Sequence, residues 1–376
     1  MSALVDTYET LPFTVIHGDG MYVYDTDGRE YLDLYGGHAV ALLGHSPPSV
    51  AQAIAEQAKS LLFYSNVAPL DVRDRAARML TGFAGAPYDK VFFCNSGAEA
   101  NENALRLAVE KLGRSKIAAL RGAFHGRTLL AAAATDQAKR AESLNPWSGP
   151  VLRLVPNCTE EIRQIDTDTA AVIVEPILSM AGVITLDHTY LEALVVRCRE
   201  VGAWLIFDEV QTGMGRTGVP FVAGSRGVFP QMVTLAKGIA AGVPMGALLM
   251  TGEVAEQVKM GDMGSTFGGG PLACAAMCAT VETLEAQDLA TNAARIESWV
   301  KRHCHVKGVE AVLGRGALLG LRLSLPAKEV HDALMERGII TGKSRDPHVL
   351  RLLPPLITRE QHVIALAKAL GEVLHA

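Results

Sequence analysis

The chain has 376 residues, of which 49% are hydrophobic and 20% are charged. This balance is typical of a globular chain with a large buried core, and it excludes an intrinsically disordered protein. The formal net charge of -5 at pH 7 argues against general binding to nucleic acid or to an anionic membrane.

The six cysteines are scattered and form neither a CxxC pair nor the Cys and His spacing of a zinc site. We therefore expect no metal site and a reducing, cytoplasmic location. The first residues lack the basic stretch and apolar core that are typical of a signal peptide. One long uncharged span, residues 263–281, contains three consecutive glycines and Pro271. We expect this span to be a loop that leads into a buried helix, not a membrane helix.

The first predicted element is a β-hairpin near the N-terminus. Apolar and polar residues alternate over residues 21–24, an Asp-Thr-Asp-Gly turn follows at 25–28, and a second strand covers 31–34. Helical spacing then predicts a helix over residues 49–62, with Ser49 as its N-cap.

The next pattern is a strand, a tight turn and a helix. The strand is predicted over residues 91–94, the turn at 95–97 and the helix over 98–112. A helix N-terminus presents free N–H groups and the positive end of the helix dipole, so this turn could bind a phosphate, and Ser96 adds a hydroxyl donor. Such turns are common, and this one alone is weak evidence.

The strongest signal comes from two short apolar segments that end in charged residues. Residues 204–207 are followed by Asp208 and Glu209, and residues 232–235 are followed by Ala236 and Lys237. The carboxyl ends of parallel strands meet at one edge of a sheet, where α/β proteins bind their ligands. A carboxylate and a lysine at that edge suit a ring cofactor, with the carboxylate facing a protonated ring nitrogen and the lysine facing a carbonyl carbon.

The stretch over residues 204–238, with the turn at 95–97 before it, resembles the class III, ω-amino branch of the pyridoxal-phosphate-dependent aminotransferases. Within that family the chain is most similar to the acetylornithine aminotransferases. The resemblance covers nearly the whole chain. It implies an α/β, aspartate-aminotransferase-like fold (fold type I), in which a large doubly wound, mostly parallel sheet domain is joined by a small α/β domain built from both termini. We place the large, cofactor-binding domain at residues 46–255 and the two parts of the small domain at 1–45 and 256–376.

The resemblance implies pyridoxal 5'-phosphate as the cofactor. Lys237 would bind its aldehyde and then act as the catalytic base, while Asp208 would keep the ring nitrogen protonated. Phe124 and Val210 would lie on the two faces of the ring. The other implied cofactor contacts are Ser96, Gly97 and Ala98 at the phosphate, Glu209, Gln211 at the ring 3-oxygen, and Thr266 at the phosphate of a partner subunit. That last contact predicts a homodimer with active sites at the interface.

The resemblance also implies where the substrate binds. Arg127, in a Phe-His-Gly-Arg-Thr context, would hold a distant carboxylate of the substrate, and Arg351 would hold an α-carboxylate. Glu175 would pair with Arg351 while an ω-amine substrate is bound and would release it for glutamate. Tyr8 and Ser265 complete the implied substrate contacts.

Two stretches depart from the family pattern. Family members continue after the Glu-Pro at 175–176 with a Gln-Gly-Glu-Gly type of sequence, whereas residues 177–180 here read Ile-Leu-Ser-Met. An Asn usually follows the glycines near Thr266, and here Gly270 takes its place. The first departure lies beside the expected substrate pocket and leaves the precise substrate open.

The reaction we expect is transfer of the terminal amino group of N2-acetylornithine, or of a related N-acyl diamino acid, to 2-oxoglutarate, in arginine or lysine biosynthesis. Succinylornithine, succinyl-diaminopimelate and lysine linked to a small acidic carrier protein are close alternatives as substrates. Ornithine and 4-aminobutyrate transaminases are further alternatives, as are an aminomutase and a decarboxylase. A binding protein that has lost catalysis is a different class, and the presence of both Lys237 and Asp208 argues against it.

Overall fold

The computed structural model describes residues 3–137 and 148–375. A seven-stranded sheet forms its centre, and every pairing in that sheet is parallel except the two made by Gly246–Thr251. Along the sheet, the strands are ordered Tyr88–Cys94, Gly246–Thr251, Met232–Leu235, Trp204–Asp208, Thr169–Val174, Lys116–Leu120 and Val151–Leu154. The prediction of a large, mostly parallel sheet is confirmed.

Both faces of this sheet are covered, which is why its central strands read as continuous apolar runs. All residues of Trp204–Asp208 and of Thr169–Val174 are buried. Leu205 and Phe207 belong to one hydrophobic core, and Ile206 belongs to a second core on the other face. The chain is therefore wound on both sides of the sheet, as the apolar runs predict.

The α-helices that cover the sheets differ widely in length. They lie at Gly36–Ala39, Pro48–Ser60, Asp71–Ala84, Gly97–Leu112, Leu129–Ala134, His188–Val201, Gly252–Ala255, Pro271–Ala286, Leu289–His303, Ala327–Glu336 and Glu360–Leu374. Short 3-10 helices lie at Thr159–Gln164, Ser225–Gly227 and Lys237–Ala240. None of the helices in the described residues is long and apolar enough to cross a membrane.

Among the described residues, three smaller sheets lie outside the central one. Two of them have four strands each, in the orders Val15–Asp19, Tyr22–Asp25, Glu30–Asp33, Ile339–Ile340 and Val309–Arg315, Leu318–Leu323, Val349–Leu352, Gly342–Lys343. A two-stranded ribbon joins Ile177–Leu178 to Ile184–Thr185. The first four-stranded sheet thus combines an N-terminal hairpin with a strand from near the C-terminus. The exact domain boundaries at residues 45 and 255 stay a prediction.

The predicted N-terminal hairpin and the predicted helix over residues 49–62 are both present. The turn of the N-terminal hairpin is stabilised by Asp25, whose Oδ1 accepts hydrogen bonds from the backbone N–H groups of Asp27 and Arg29. The helix expected over residues 49–62 spans Pro48–Ser60, and Ser49 is not its N-cap because the helix already begins at Pro48. The proline accounts for the earlier start, since its fixed φ suits the first helical position and it has no N–H that needs a cap.

Candidate active site

A cavity of about 720 Å³ opens where the loops after several parallel strands converge. Its walls come from the segments that follow the strands ending at Cys94, Leu120, Val174, Asp208 and Leu235. Of the site residues named from the sequence, the cavity is lined by Tyr8, Ser96, Gly97, Ala98, Phe124, Arg127, Glu175, Asp208, Val210, Gln211, Lys237 and Arg351. Glu209, Ser265 and Thr266 are not among the lining residues.

Asp208 is the last residue of its strand and is buried at the floor of this cavity. Its Oδ2 accepts a hydrogen bond from Asn101 Nδ2 at 2.7 Å and lies 2.8 Å from His125 Nδ1. Its Oδ1 accepts a hydrogen bond from the backbone N–H of Val210 at 3.1 Å. Contacts from three separate segments therefore fix the orientation of this carboxylate.

Sequence reasoning missed Asn101 and His125 as parts of the site. Asn101 lies one helical turn after Gly97, on the buried face of the Gly97–Leu112 helix, and its Oδ1 accepts a hydrogen bond from Thr234 Oγ1 at 2.6 Å. The sequence could have indicated Asn101, because it lies on the apolar face of a predicted helix and a buried side-chain amide needs hydrogen-bond partners. His125 lies between two residues that were assigned roles, and its Nε2 is buried without a partner in the described chain.

Lys237 follows the strand Met232–Leu235 by two residues and begins the short helix Lys237–Ala240. Its φ of 52° is in the left-handed region, a conformation that costs a non-glycine residue about 1–3 kcal/mol and that clusters at functional sites. Burial lowers the pKa of the Lys237 amine, and the nearby carboxylates of Asp208 and Glu175 offset only part of that effect. With a pKa of about 8, more of this amine is neutral near pH 7 than of an ordinary lysine, and the neutral amine is the form that can act as a nucleophile or as a base.

Glu209 has a different environment from Asp208, although the two are adjacent. It is buried, and its carboxylate accepts hydrogen bonds from the backbone N–H groups of Val222 at 2.9 Å and Ala223 at 2.6 Å and from Thr212 Oγ1 at 3.0 Å. These contacts hold the loop after the strand. Glu209 does not line the cavity, and a contact between Glu209 and a cofactor stays a prediction.

The predicted phosphate turn lies at one end of the cavity. Ser96 is the N-cap of the helix Gly97–Leu112, and its Oγ accepts a hydrogen bond from the backbone N–H of Glu99 at 3.1 Å. A β-carbon on Gly97 would lie 2.9 Å from Val210 Cγ2, closer than real contacts allow. Glycine at this position therefore allows the helix N-terminus to approach Val210, which lines the same cavity.

Two arginines lie at different depths of the cavity. Arg127 is exposed at the mouth, where its Nη1 donates a hydrogen bond to the Tyr8 hydroxyl at 3.1 Å and its guanidinium lies 5.3 Å from the centre of the Tyr8 ring. Arg351 is only 2% exposed. Both side chains are cations that line a cavity large enough for a small molecule, so both can bind a carboxylate.

Glu175 does not pair with Arg351. No salt bridge within 4.0 Å joins them in the described residues, and Glu175 Oε1 instead accepts a hydrogen bond from the backbone N–H of Phe124 at 2.8 Å. Burial raises the pKa of Glu175, which favours the neutral acid in this position. The ion pair implied by the resemblance is therefore absent from this structure.

Ser265 and Thr266 lie on a surface segment outside the cavity. Ser265 Oγ accepts hydrogen bonds from the backbone N–H of Gly268 at 3.0 Å and from Asn95 Nδ2 at 3.2 Å, while Thr266 is exposed. Asn66 Nδ2 holds the segment in place by donating to the carbonyl of Ser265 at 2.8 Å. Within one chain, neither residue reaches the cavity.

Comparison with known proteins agrees with this arrangement. Residues 4–374 match the family described as aminotransferase class-III. The chain belongs to the class III aminotransferases. The protein is therefore a transaminase.

Several relatives within this family are similar over almost their entire length. The acetylornithine aminotransferase of Methanopyrus kandleri is 42% identical, over 99% of this chain and 96% of the relative. The acetylornithine aminotransferase of Methanocaldococcus jannaschii is 39% identical, over 97% of this chain and 94% of the relative. Among solved structures, the ornithine aminotransferase of Toxoplasma gondii superposes with a TM-score of 0.91 at 30% identity, covering 99% of this chain and 92% of that one.

Proposed function

We propose that this class III aminotransferase transfers the terminal amino group of N2-acetylornithine, or of a closely related N-acyl diamino acid, to 2-oxoglutarate, with pyridoxal 5'-phosphate as its cofactor. The observation that carries the proposal is the presence of Asp208 and Lys237 in one cavity that also contains Arg127 and Arg351. The names of the archaeal relatives support the substrate, and a role in arginine biosynthesis follows from it.

The residues present fit the cofactor. Its phosphate suits the N-terminus of the helix Gly97–Leu112, where the absence of a side chain on Gly97 leaves the backbone accessible. Gln211 Oε1 is buried without a hydrogen-bond partner in the described chain, so a polar atom is left available to a ligand. Phe124 and Val210 line the same cavity and supply apolar surface for a flat ring.

When bound, pyridoxal phosphate supplies an electron sink for negative charge on the substrate carbon. Asp208 would offer a fixed carboxylate to the ring nitrogen, and its orientation is held by Asn101, His125 and the backbone of Val210. The lowered pKa of Lys237 raises the fraction of its amine that is neutral, and the neutral amine can take a proton from the substrate carbon and return it nearby.

The two arginines account for a reaction with two different substrates. 2-Oxoglutarate and glutamate have two carboxylates, which suits one cation deep in the cavity, Arg351, and one at its mouth, Arg127. An acylated ω-amine presents a carboxylate far from the reacting amine, and Arg127 is the cation that can reach it. Tyr8 orients Arg127 from the N-terminal segment.

We also propose that the enzyme is a homodimer in the cytoplasm, with Thr266 and Ser265 reaching the site of the partner subunit. The surface around Thr266 supports this, because it is apolar as well as exposed. Phe63 and Phe267 pack against each other with ring centres 5.2 Å apart, although both are exposed in the single chain, as is Met260. Exposed apolar patches of this kind mark protein interfaces.

The half-reaction with the amino donor tests the proposed substrate. The purified holoenzyme is mixed with N2-acetylornithine in the absence of any 2-oxo acid, and its visible absorption is recorded. We expect the cofactor band to bleach and to return when 2-oxoglutarate is added. A band that bleaches with glutamate but not with acetylornithine would retain the transaminase and reject the substrate. N2-succinylornithine and carrier-linked lysine would then be the next donors to test.

A further inference from the structure

Within residues 3–137 and 148–375, the hydrogen bonds of Arg351 go to uncharged groups only. Its Nε donates to the backbone carbonyl of Lys343 at 2.7 Å, its Nη1 to Ser179 Oγ at 3.0 Å and its Nη2 to the Tyr35 hydroxyl at 2.7 Å. A guanidinium has five N–H donors, so two of them remain after these three bonds. A buried cation without a counter-ion is costly, which indicates that an anion reaches it in the working enzyme.

The nearby carboxylates are engaged elsewhere. Glu175 accepts the backbone N–H of Phe124, as described above. Asp33, the acid close to Tyr35 along the chain, accepts the backbone N–H groups of Tyr35 and Gly36 with Oδ1 and contacts His45 with Oδ2 at 2.9 Å. In the part of the chain that the structure describes, no Asp or Glu forms a salt bridge with Arg351.

The surrounding backbone fixes the position of the Tyr35 side chain. The ring of Tyr35 lies directly over Gly342, where an added β-carbon would be 2.0 Å from Tyr35 Cε2, and Gly342 is the cross-strand neighbour of Arg351. Tyr35 is followed by a turn in which His38 and Ala39 both have a φ of 67°. Such left-handed backbone in non-glycine residues is unfavourable and persists only where the surrounding structure enforces it.

Ser179 comes from the stretch that departs from the family pattern. It is fully buried and follows the short strand Ile177–Leu178. The sequence showed that residues 177–180 are unusual but not what they do. The structure gives this stretch a partner, because Ser179 is one of the three groups that hold Arg351.

We propose that Tyr35 and Ser179 form an uncharged clamp that keeps Arg351 open to the α-carboxylate of glutamate or 2-oxoglutarate, with no protein carboxylate masking it while the ω-amine donor is bound. This inference rests on the proposed function, because it concerns how the same site receives its two substrates. It replaces the switching role expected for Glu175. Since Arg351 is always open, glutamate competes with the ω-amine donor for the free enzyme without first displacing an internal ion pair.

The deciding measurement is the affinity of glutarate, a dicarboxylate that cannot react, for the holoenzyme by titration calorimetry. In Glu175→Gln we expect the Kd of glutarate to stay within about twofold of the wild type, because Glu175 does not occupy Arg351. If Glu175 masked Arg351, its removal would tighten glutarate binding by about tenfold or more, and that result would overturn the proposal. Arg351→Gln is the control: it should weaken glutarate binding strongly, and unchanged binding there would also overturn it.

The clamp itself is tested by Tyr35→Phe and Ser179→Ala. Each removes one hydroxyl, so we expect the KM for 2-oxoglutarate to rise about five- to tenfold while kcat changes by less than about twofold. Ser179→Thr, which keeps a hydroxyl, should restore part of the lost affinity. A fall in kcat with an unchanged KM would assign the two residues a merely structural role. Glutarate binding needs no turnover, so a failure of the substrate assignment would not affect these results.

Discussion

At the residue scale, the two side chains to which we assign the chemistry, Asp208 and Lys237, are held in different ways. Asp208 is fixed by hydrogen bonds from Asn101 and Val210 and by its contact with His125, so its position is set before any ligand binds. Lys237 has no hydrogen bond or ion pair within the described residues, and its strained backbone directs it into the cavity. The carboxylate is thus preorganised, whereas the lysine is free to move between reacting atoms.

Lys237→Ala is the most direct prediction at this scale. Removing the amine removes the base, and we expect kcat to fall by at least about a thousandfold. Steady-state rates with N2-acetylornithine and 2-oxoglutarate measure the loss, and circular dichroism checks that the variant is folded. Activity that survives the change would contradict the role given to Lys237.

At the scale of elements, the site is made by strand ends and by one helix N-terminus. Glu209 holds the loop after the strand Trp204–Asp208. Its single buried carboxylate accepts hydrogen bonds from Thr212 at one part of the loop and from residues 222 and 223 at another. The helix Gly97–Leu112 approaches Val210 only because Gly97 has no side chain. A substitution at Glu209 should therefore disturb the whole loop after the strand, and one at Gly97 should shift the N-terminus of the helix.

Gly97→Ala should weaken binding of the cofactor. The added methyl group would lie 2.9 Å from Val210 Cγ2, and the helix N-terminus or Val210 must shift to make room. We expect about a tenfold rise in the Kd of pyridoxal phosphate, measured by fluorescence titration of the apoenzyme. Gly82→Ala is the matched control, because a β-carbon there meets nothing within 4 Å, and it should be neutral or slightly stabilising. Equal effects in the two variants would contradict the steric explanation.

Glu209→Gln should reveal a pH-dependent contribution to stability. Burial raises the pKa of Glu209 from 4.5 to about 7, so the native fold favours its protonated form. That contribution is complete below the unfolded pKa of 4.5 and is lost as the pH rises through about 7. The shift corresponds to about 3 kcal/mol in the free energy of unfolding.

The measurement is the difference in Tm between the wild type and Glu209→Gln at pH 5 and at pH 8. We expect the advantage of the wild type to be larger at pH 5. Because glutamine cannot titrate, it isolates the contribution of this one group. A difference that is the same at both pH values would show that Glu209 does not titrate in this range.

At the scale of the whole molecule, much of the site follows from the sequence and some of it does not. Asp208 and Lys237 could be found because each ends a buried strand, and parallel strands bring their carboxyl ends together. The hydrogen bonds of Asn101 with Asp208 and of Ser179 with Arg351 could not, because they join residues 107 and 172 positions apart. Such contacts depend on how packed elements meet, which no local pattern encodes. The contact between Glu175 and the backbone of Phe124, in place of an ion pair with Arg351, could not be found from the sequence for the same reason.

The proposed dimer leads to a prediction by complementation. If Thr266 serves the site of the partner, Lys237→Ala and a defective Thr266→Val variant damage different halves of each site. Chains mixed and reassociated should then form mixed dimers with one intact site. A random mixture should recover about a quarter of the wild-type activity. No recovery, with exchange verified by mass, would contradict a shared site.

A control for the interface uses two exposed apolar residues of similar exposure. Phe267 is 65% exposed beside Thr266, and Val196 is 55% exposed on the helix His188–Val201. Phe267→Asp should dissociate the dimer in sedimentation experiments, whereas Val196→Asp should leave it intact. Dissociation in both variants would argue against this surface as the interface.

The pairing of Glu30–Asp33 with Ile339–Ile340 has a consequence for biosynthesis of the chain. The N-terminal hairpin emerges first from the ribosome, yet its third strand lacks its parallel neighbour until some 300 further residues have been translated. Tyr35, which follows that strand, cannot reach Arg351 before then. The catalytic cavity therefore matures only at the end of synthesis, and a prematurely terminated chain carries an unfinished sheet edge instead of an active enzyme.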